Sequence, residues 1–309
     1  MDTRTLGQQG LTSSALGYGA MGTVIAYGPA DEDESIAAIR RAHELGTTHF
    51  DTAEMYGWGD GERLLGAALA PIRDEVTIAT KFGLTPSWGQ NSQPDHIREV
   101  VDNSLRNLGV EVIDVLYQHA PDPNVPVEEV VGTMKELVAA GKVKYVGLSN
   151  AGEDDIRRGH AVHPISVLQA QYSIFDRKIE ALFPVLDELG IGLVAFSPLA
   201  RGFLTGAAKP REELGADDRR HQIAMWAPEN FAGNVAMVDR LAQLAESKGI
   251  SVSQLALAWL LAQKDNVVPI PGSRNPQRVE QNIAAADISL TDDDLARIAE
   301  IVPHGGHGA

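Results

Sequence analysis

Apolar residues recur along this chain with two interleaved periods. Short runs such as Val76-Thr77-Ile78-Ala79-Thr80 and Ile113-Asp114-Val115-Leu116-Tyr117-Gln118 have the length and β-branched character of buried strands. Between such runs the apolar positions fall three and four apart, as at Ile36, Ile39 and Ala42, or at Ile97, Val101, Leu105 and Leu108, which is the spacing of one helix face. The pattern predicts strands near 16–20, 47–51, 76–80, 113–118, 143–148, 167–171, 191–196 and 266–270. Asp33, Asp95 and Asp154 mark helix starts, and Gly46, Gly109, Gly141 and Gly190 punctuate helix ends. Residues 3–14 alternate weakly around Gly7 and Gly10, consistent with a short hairpin capping one end of a barrel. A chain of 309 residues admits one large α/β barrel or two smaller domains. No linker, low-complexity block or charge run marks a second domain, so a single domain over 1–309 is expected.

One interval breaks the alternation. From Ser197 to Asn234 the chain is long and mixed, holding Arg219-Arg220 and Met225-Trp226; such a length of irregular chain is more often a functional loop than a spacer. Further helices are expected at about 234–248 and 251–264. The tail, His304-Gly305-Gly306-His307-Gly308-Ala309, reads as disordered. Gly17-Tyr18-Gly19-Ala20-Met21-Gly22 matches the dinucleotide fingerprint G-x-G-x-x-G, but that motif works by opening a helix at its third glycine. Here Thr23-Val24-Ile25-Ala26-Tyr27-Gly28-Pro29 follows, with a helix expected only after Asp31, so the glycines read as a tight turn whose backbone can approach a ligand closely.

Composition narrows the field. A formal net charge of −16 and a pI near 4.9 oppose binding to nucleic acid or an anionic membrane over any broad surface. A phosphate-bearing ligand then needs a local cluster of arginines. The absence of cysteine removes disulfides, thiolate metal sites and thiol nucleophiles. With no signal-like amino terminus and no apolar run of about 20 residues, the expected location is cytoplasmic.

The strand ends carry the candidate chemistry. Asp51 ends one predicted strand and Tyr56 follows in the next loop; Lys81 and His119 end the next two strands. If the strands are parallel, all four open onto one face, where α/β barrels hold their active sites. A tyrosine titrates near pH ~10, and a neighbouring ammonium stabilises its phenolate and lowers that value. Lys81, held by Asp51, is placed to acidify Tyr56, with His119 donating to or orienting the same carbonyl oxygen. Singly, each residue is as readily structural: a turn cap, a barrel ion pair or an interior histidine. Trp88, Trp226, Tyr27 and Met225 lie in loops expected at the substrate mouth, and lining a pocket or packing on the rim is equally open for each. Trp259 sits in a run of apolar residues and reads as core.

The surrounding segments resemble the aldo-keto reductases. Gly46-Thr47-Thr48-His49-Phe50-Asp51-Thr52-Ala53, then Tyr56-Gly57, Glu62 and Leu65-Gly66, is similar to that family's first signature. Thr80-Lys81-Phe82-Gly83, Asp114 through His119, Gly141 through Asn150, and Phe196 through Gly206 resemble further segments in the same order. The resemblance runs from about Leu6 to Val302. It implies a (β/α)8 TIM barrel with an N-terminal β-hairpin and two extra helices, binding NADPH or NADP+ without a Rossmann fold. It also implies Tyr56 as general acid, tuned by Lys81 and Asp51, with His119 positioning the carbonyl.

For the cofactor, the resemblance places Ser149, Asn150 and Gln171 on the nicotinamide carboxamide and Phe196 against its ring. Ser197, Pro198, Leu199, Arg201 and Gly202 fall around the pyrophosphate, with the Gly22 backbone nearby. Ser273, Arg274 and Arg278 resemble the pocket for the adenosine 2′-phosphate, with Gln281 and Asn282 toward adenine; Gly272 stands where some members carry a lysine. The arginine pair supplies the local basic site that an acidic protein needs and favours NADPH over NADH. The expected partner is a small carbonyl substrate, the assembly a monomer or weak homo-oligomer, and no metal is required. A short connection from Ala120 to Pro126 predicts a shallow, tolerant pocket. Two rival readings remain: a cofactor-sensing subunit resembling the potassium-channel β subunits, and a barrel glycosidase using two carboxylates.

Overall fold

In the computed structural model, residues 1–25, 30–216 and 218–309 are described. Eight parallel strands form one curled sheet: β3 (Tyr18–Gly19), β4 (His49–Asp51), β5 (Thr77–Phe82), β6 (Ile113–Gln118), β7 (Val143–Ser149), β8 (Val167–Gln171), β9 (Gly192–Phe196) and β10 (Val267–Pro269). They are ordered in space as in the chain. The Gly17 amide donates to the Pro269 carbonyl at 2.9 Å and Gly19 to Pro271 at 3.4 Å, which brings the first and last strands together and closes the barrel. An antiparallel hairpin, β1 (Thr3–Leu6) and β2 (Leu11–Ser14), precedes it. Every strand expected from the apolar runs is present.

The helices are α1 (Glu32–Glu44), α2 (Asp60–Leu69), α3 (Pro94–Leu108), α4 (Val127–Ala139), α5 (Glu153–Val162), α6 (Phe183–Leu189), α7 (Pro228–Ser247), α8 (Val252–Leu261), α9 (Pro276–Ile283) and α10 (Asp292–Ile301). The Asp31 side chain caps α1, in line with a helix only after that residue. Ser251 with Gln254 and Thr291 with Asp294 form capping boxes on α8 and α10. Helix α7 starts six residues earlier than the expected 234, because Pro228 occupies its first turn, where a missing N–H costs nothing.

Strand parity divides the core in two. Ala79, Val115, Tyr117, Val167, Val194, Val268 and Ile270 point inward, and Leu6 and Leu11 of the hairpin plug the same interior from below. Alternate residues such as Ile78, Leu116, Leu168 and Leu193 point outward and pack beneath the helices. The Arg4 guanidinium pins the hairpin by donating to the carbonyls of Leu261 and Lys264 at 2.8 Å and of Val267 at 2.5 Å.

The tail departs from the expected disorder. Asn234 holds the His307 backbone through bonds of 2.7 and 3.0 Å, Gly306 donates to the Phe175 carbonyl, and Lys178 Nζ donates to the Ala309 carbonyl at 2.8 Å. Gly306 lies flat on the Phe175 ring, where an added Cβ would come within 2.6 Å. These contacts join segments far apart in sequence. Met225 and Trp226, left open between pocket lining and rim packing, are rim packing: both are buried, and Trp226 packs at a tilt against Phe203 with ring centroids 4.4 Å apart. Trp88 is 59% exposed. Tyr27 lies outside the described residues.

Candidate active site

Inward parity and parallel strands lift one layer of polar side chains to the barrel's carboxyl-terminal face. Asp51 closes β4 and Lys81 lies on β5, each on the inward parity of the interior layer below. Lys81 Nζ donates to Asp51 Oδ1 at 2.5 Å and to the Thr52 carbonyl at 2.7 Å. The other carboxylate oxygen, Asp51 Oδ2, accepts from Gln169 Nε2 at 2.7 Å. Lys81 is thus a buried ammonium held by a backbone carbonyl and by a carboxylate that is itself held.

Tyr56 and His119 meet above this pair. Tyr56 lies in the loop between β4 and α2, nearly buried, with Lys81 Nζ 5.2 Å from its ring centroid. His119 follows β6 and meets the Tyr56 ring edge-on, centroids 6.1 Å apart. The four residues singled out at strand ends are therefore one cluster.

The electrostatics correct one expectation. Burial pushes the Tyr56 phenol above its usual value. The Lys81 ammonium pulls it down, both as a charge and as a hydrogen-bond partner, and Arg201 adds a smaller pull, but desolvation together with the Asp51 charge outweighs them. Lys81 favours the phenolate as expected, yet Tyr56 is not acidified overall. Lys81 itself is held above the usual lysine value: burial disfavours its charge, while Asp51 and Tyr56 more than compensate. Burial, aided by the Lys81 charge, drives His119 down to about 3, so its imidazole is neutral at physiological pH.

The remaining predicted residues form two groups. Ser149 ends β7, and Asn150, in the left-handed region at φ 57°, donates from Nδ2 to Ser149 Oγ and to the His119 carbonyl. Gln171 ends β8; its Nε2 donates to Asp176 at 3.0 Å and its Oε1 accepts from Arg201 at 3.5 Å. Phe196 ends β9 in register with Gln171. Beyond it the chain winds through left-handed conformations at Ser197, Ala200, Arg201 and Gly202, a tight turn that also carries Pro198 and Leu199. Gly22 lies in the short turn Ala20–Thr23 after β3. All of these border the same face as the tyrosine.

The second group follows β10. The Ser273 carbonyl accepts from the Tyr18 hydroxyl at 2.7 Å and its Oγ accepts from the Asn275 amide. Asn275 caps α9 through the Arg278 amide. Arg274 is half-buried, while Arg278 and Gln281 are exposed. Asn282 is turned inward, buried beside Gly17, Tyr18 and Thr47. Gly272 is glycine for a steric reason: a Cβ there would stand 2.1 Å from the Gly19 carbonyl oxygen, so this backbone has no room for a lysine. The apparent fingerprint has the same origin, since a Cβ on Gly17 or Gly19 would strike Ile270.

Two nearby residues were missed. Gln169 holds the far oxygen of Asp51; its signal was polar residues at alternate positions of an otherwise apolar strand, Val167-Leu168-Gln169-Ala170-Gln171. Glu54 lies between Asp51 and Tyr56 with Oε2 buried and unpartnered. Burial first, then the carboxylates of Glu62 and Glu99, pushes it up to about 7.

Comparison with known proteins agrees with this geometry. The family model described as "Aldo/keto reductase family" matches residues 15–303. A probable aldo-keto reductase of Glycine max is 42% identical over 307 residues, covering 97% of this chain and 88% of that protein. An aldo-keto reductase of Schizosaccharomyces pombe whose name specifies NADP(+) is 37% identical over 309 residues, covering 96% and 90%. A solved glycerol dehydrogenase from Gluconobacter oxydans superposes with a TM-score of 0.89 at 29% identity, covering 97% of this chain and 94% of that one. A family model over most of the sequence, relatives of 42% and 37% identity and a shared eight-stranded barrel lead to one conclusion: the chain belongs to the aldo/keto reductase family.

Proposed function

We propose that this protein reduces small aldehydes and ketones to alcohols with NADPH, Tyr56 acting as the general acid. The observation that carries this reading is the cluster itself: a tyrosine hydroxyl beside a buried ammonium, which Asp51 and the Thr52 carbonyl fix in place at the barrel mouth.

The residues around the mouth fit a nicotinamide nucleotide. Ser149, Asn150 and Gln171 present polar groups at the ends of β7 and β8, and Phe196 offers an aromatic face at the end of β9. The left-handed turn from Ser197 to Gly202, carrying Pro198, Leu199 and Arg201, suits a pyrophosphate, with Gly22 opposite. The side chains at the start of α9, Ser273, Arg274 and Arg278, suit an anion such as the 2′-phosphate. Gln281 is available to the adenine; Gly272 and the buried Asn282 shape the wall behind it. When bound, the cofactor supplies hydride to the carbonyl carbon.

Everything else falls to the chain. His119, neutral because of burial and Lys81, donates an N–H to the carbonyl oxygen and orients it without adding charge. Tyr56 passes its proton to that oxygen as negative charge develops there, completing the alcohol. The phenolate left behind is stabilised by the Lys81 ammonium and regains its proton from water. Asp51, anchored by Gln169, keeps Lys81 protonated and aimed.

The test follows NADPH absorbance against a panel of carbonyls, repeated with NADH. Tyr56→Phe should abolish turnover and leave NADPH binding, read by fluorescence titration, nearly intact. Retention of most activity in that variant refutes the acid assignment, and equal use of NADH refutes the role of Arg274 and Arg278.

A further inference from the structure

Residues 305–309 bridge two segments that support cofactor residues, although the chemistry above makes no use of them. On one side they meet the loop after β8. Gly306 donates to the Phe175 carbonyl at 2.9 Å, and Lys178 Nζ donates to the Ala309 carbonyl at 2.8 Å. Between these two points lies Asp176, whose Oδ2 accepts from Gln171 Nε2 at 3.0 Å and whose Oδ1 accepts from the Lys178 amide at 3.2 Å. The tail therefore grips the chain on either side of the carboxylate that holds Gln171.

On the other side the tail meets the start of α7. Asn234, fully buried, accepts from the His307 amide at 2.7 Å and donates to the His307 and Met225 carbonyls at 3.0 and 3.2 Å. One side chain thus ties the tail to the segment that bears Trp226. Trp226 packs on Phe203 at 4.4 Å between ring centroids, and Phe175 reaches the same ring at 5.9 Å. Phe203 follows Gly202 in the turn read as the pyrophosphate site, so both receivers of the tail converge on the back of that turn.

Glycine permits this close seat. A Cβ on Gly305 or Gly306 would come within 2.5 or 2.6 Å of Phe175, and one on Gly308 within 2.5 Å of Asn230. Glycine also loses the most freedom when ordered, so docking is weakly held and responds to how firmly its receivers are fixed. We propose that residues 305–309 position the cofactor without touching it, by fixing the Gln171 loop against the Ser197–Gly202 turn so that the grips on nicotinamide and pyrophosphate keep one spacing. This role rests on the NADPH site proposed above. The coupling is reciprocal: whatever the docked tail adds to cofactor affinity, bound cofactor returns to docking.

Fluorescence titration of the full chain with NADPH tests this in Gly306→Val and Gly308→Val, which collide with the receivers and alter no charge. Each should raise the NADPH dissociation constant at least fivefold, while kcat at saturating NADPH and KM for the carbonyl stay within about twofold. Hydrogen–deuterium exchange on the parent chain needs no variant: NADPH should slow exchange at the Gly306 and His307 amides at least fivefold. Leu137→Ala, a buried change in α4, lowers stability away from the tail and should leave NADPH affinity within about twofold. Unchanged affinity in either tail variant, exchange indifferent to NADPH, or an equal loss in Leu137→Ala would each overturn the proposal. A parent chain that fails to bind NADPH refutes the cofactor site and this role together; parent binding with unaffected tail variants refutes this role alone.

Discussion

Removing the Lys81 ammonium should cost the protein far more than removing it together with Asp51. At 2.5 Å the Coulomb attraction of the pair is about 6–7 kcal/mol for an effective dielectric of ~20. Desolvating the two ions costs several kcal/mol each, so the pair as a whole is close to neutral for stability. Lys81→Met leaves the Asp51 carboxylate buried with Gln169 as its only side-chain partner among the described residues, and should destabilise by about 3–5 kcal/mol. Asp51→Asn leaves Lys81 with the Thr52 carbonyl and the Tyr56 hydroxyl but without its counter-charge, and should cost a similar amount. The double variant removes both charges and should lose under about 2 kcal/mol, an interaction term of several kcal/mol in the double-mutant cycle. Urea denaturation followed by tryptophan fluorescence measures all four chains, with turnover assayed in parallel. The double variant should be folded and inactive, separating the function of the pair from its contribution to the fold. A single-variant loss below 1 kcal/mol, or singles that simply add, would refute this account of the buried pair.

Other outcomes follow from the same geometry. Glu54 has a folded pKa raised from 4.5 to about 7, so the stability its protonated form contributes is fully present below pH 4.5 and lost as pH rises through 7. Glu54→Gln should therefore match the parent at pH 4 and be about 1–2 kcal/mol more stable at pH 8.5, after discounting for solvent screening; parallel melting curves at both pH values would contradict this. With His119 near 3 and Tyr56 above its usual value, neither group titrates between pH 5 and 9, so kcat for carbonyl reduction in the Glu54→Gln chain should be flat there; a limb near 6.5 would mean a titrating His119. Gly272→Ala should destabilise by about 2–3 kcal/mol through its collision with the Gly19 carbonyl, and an unchanged thermal midpoint would show that the seam yields.

Most of the barrel was legible because strand parity and helix spacing are local. Lys81 stands out because it is a charge on the inward parity of a strand with the apolar Ala79 below it, a position that demands a partner, and Asp51 closes the neighbouring strand on the same parity, above His49. Gln169 carries the same signal, diluted by a neutral side chain. What escaped was set by contacts between distant segments. The net shift of Tyr56 depends on how completely its loop is covered, a quantity that spacing does not encode. The tail is ordered because Asn234 and Phe175 receive it, and its glycines read as disorder when those receivers are unknown.

The hydrogen bond from Gly17 to Pro269 has a consequence for synthesis. Translation runs from the amino end, and at 5–20 residues per second roughly 250 residues, or about 12–50 s, separate the emergence of the two partners from the ribosome. Through that interval the nascent sheet has an unpaired border, and the valines and tyrosine facing inward remain open to solvent. A growing polypeptide in that condition is open to aggregation at that border until its final strand emerges.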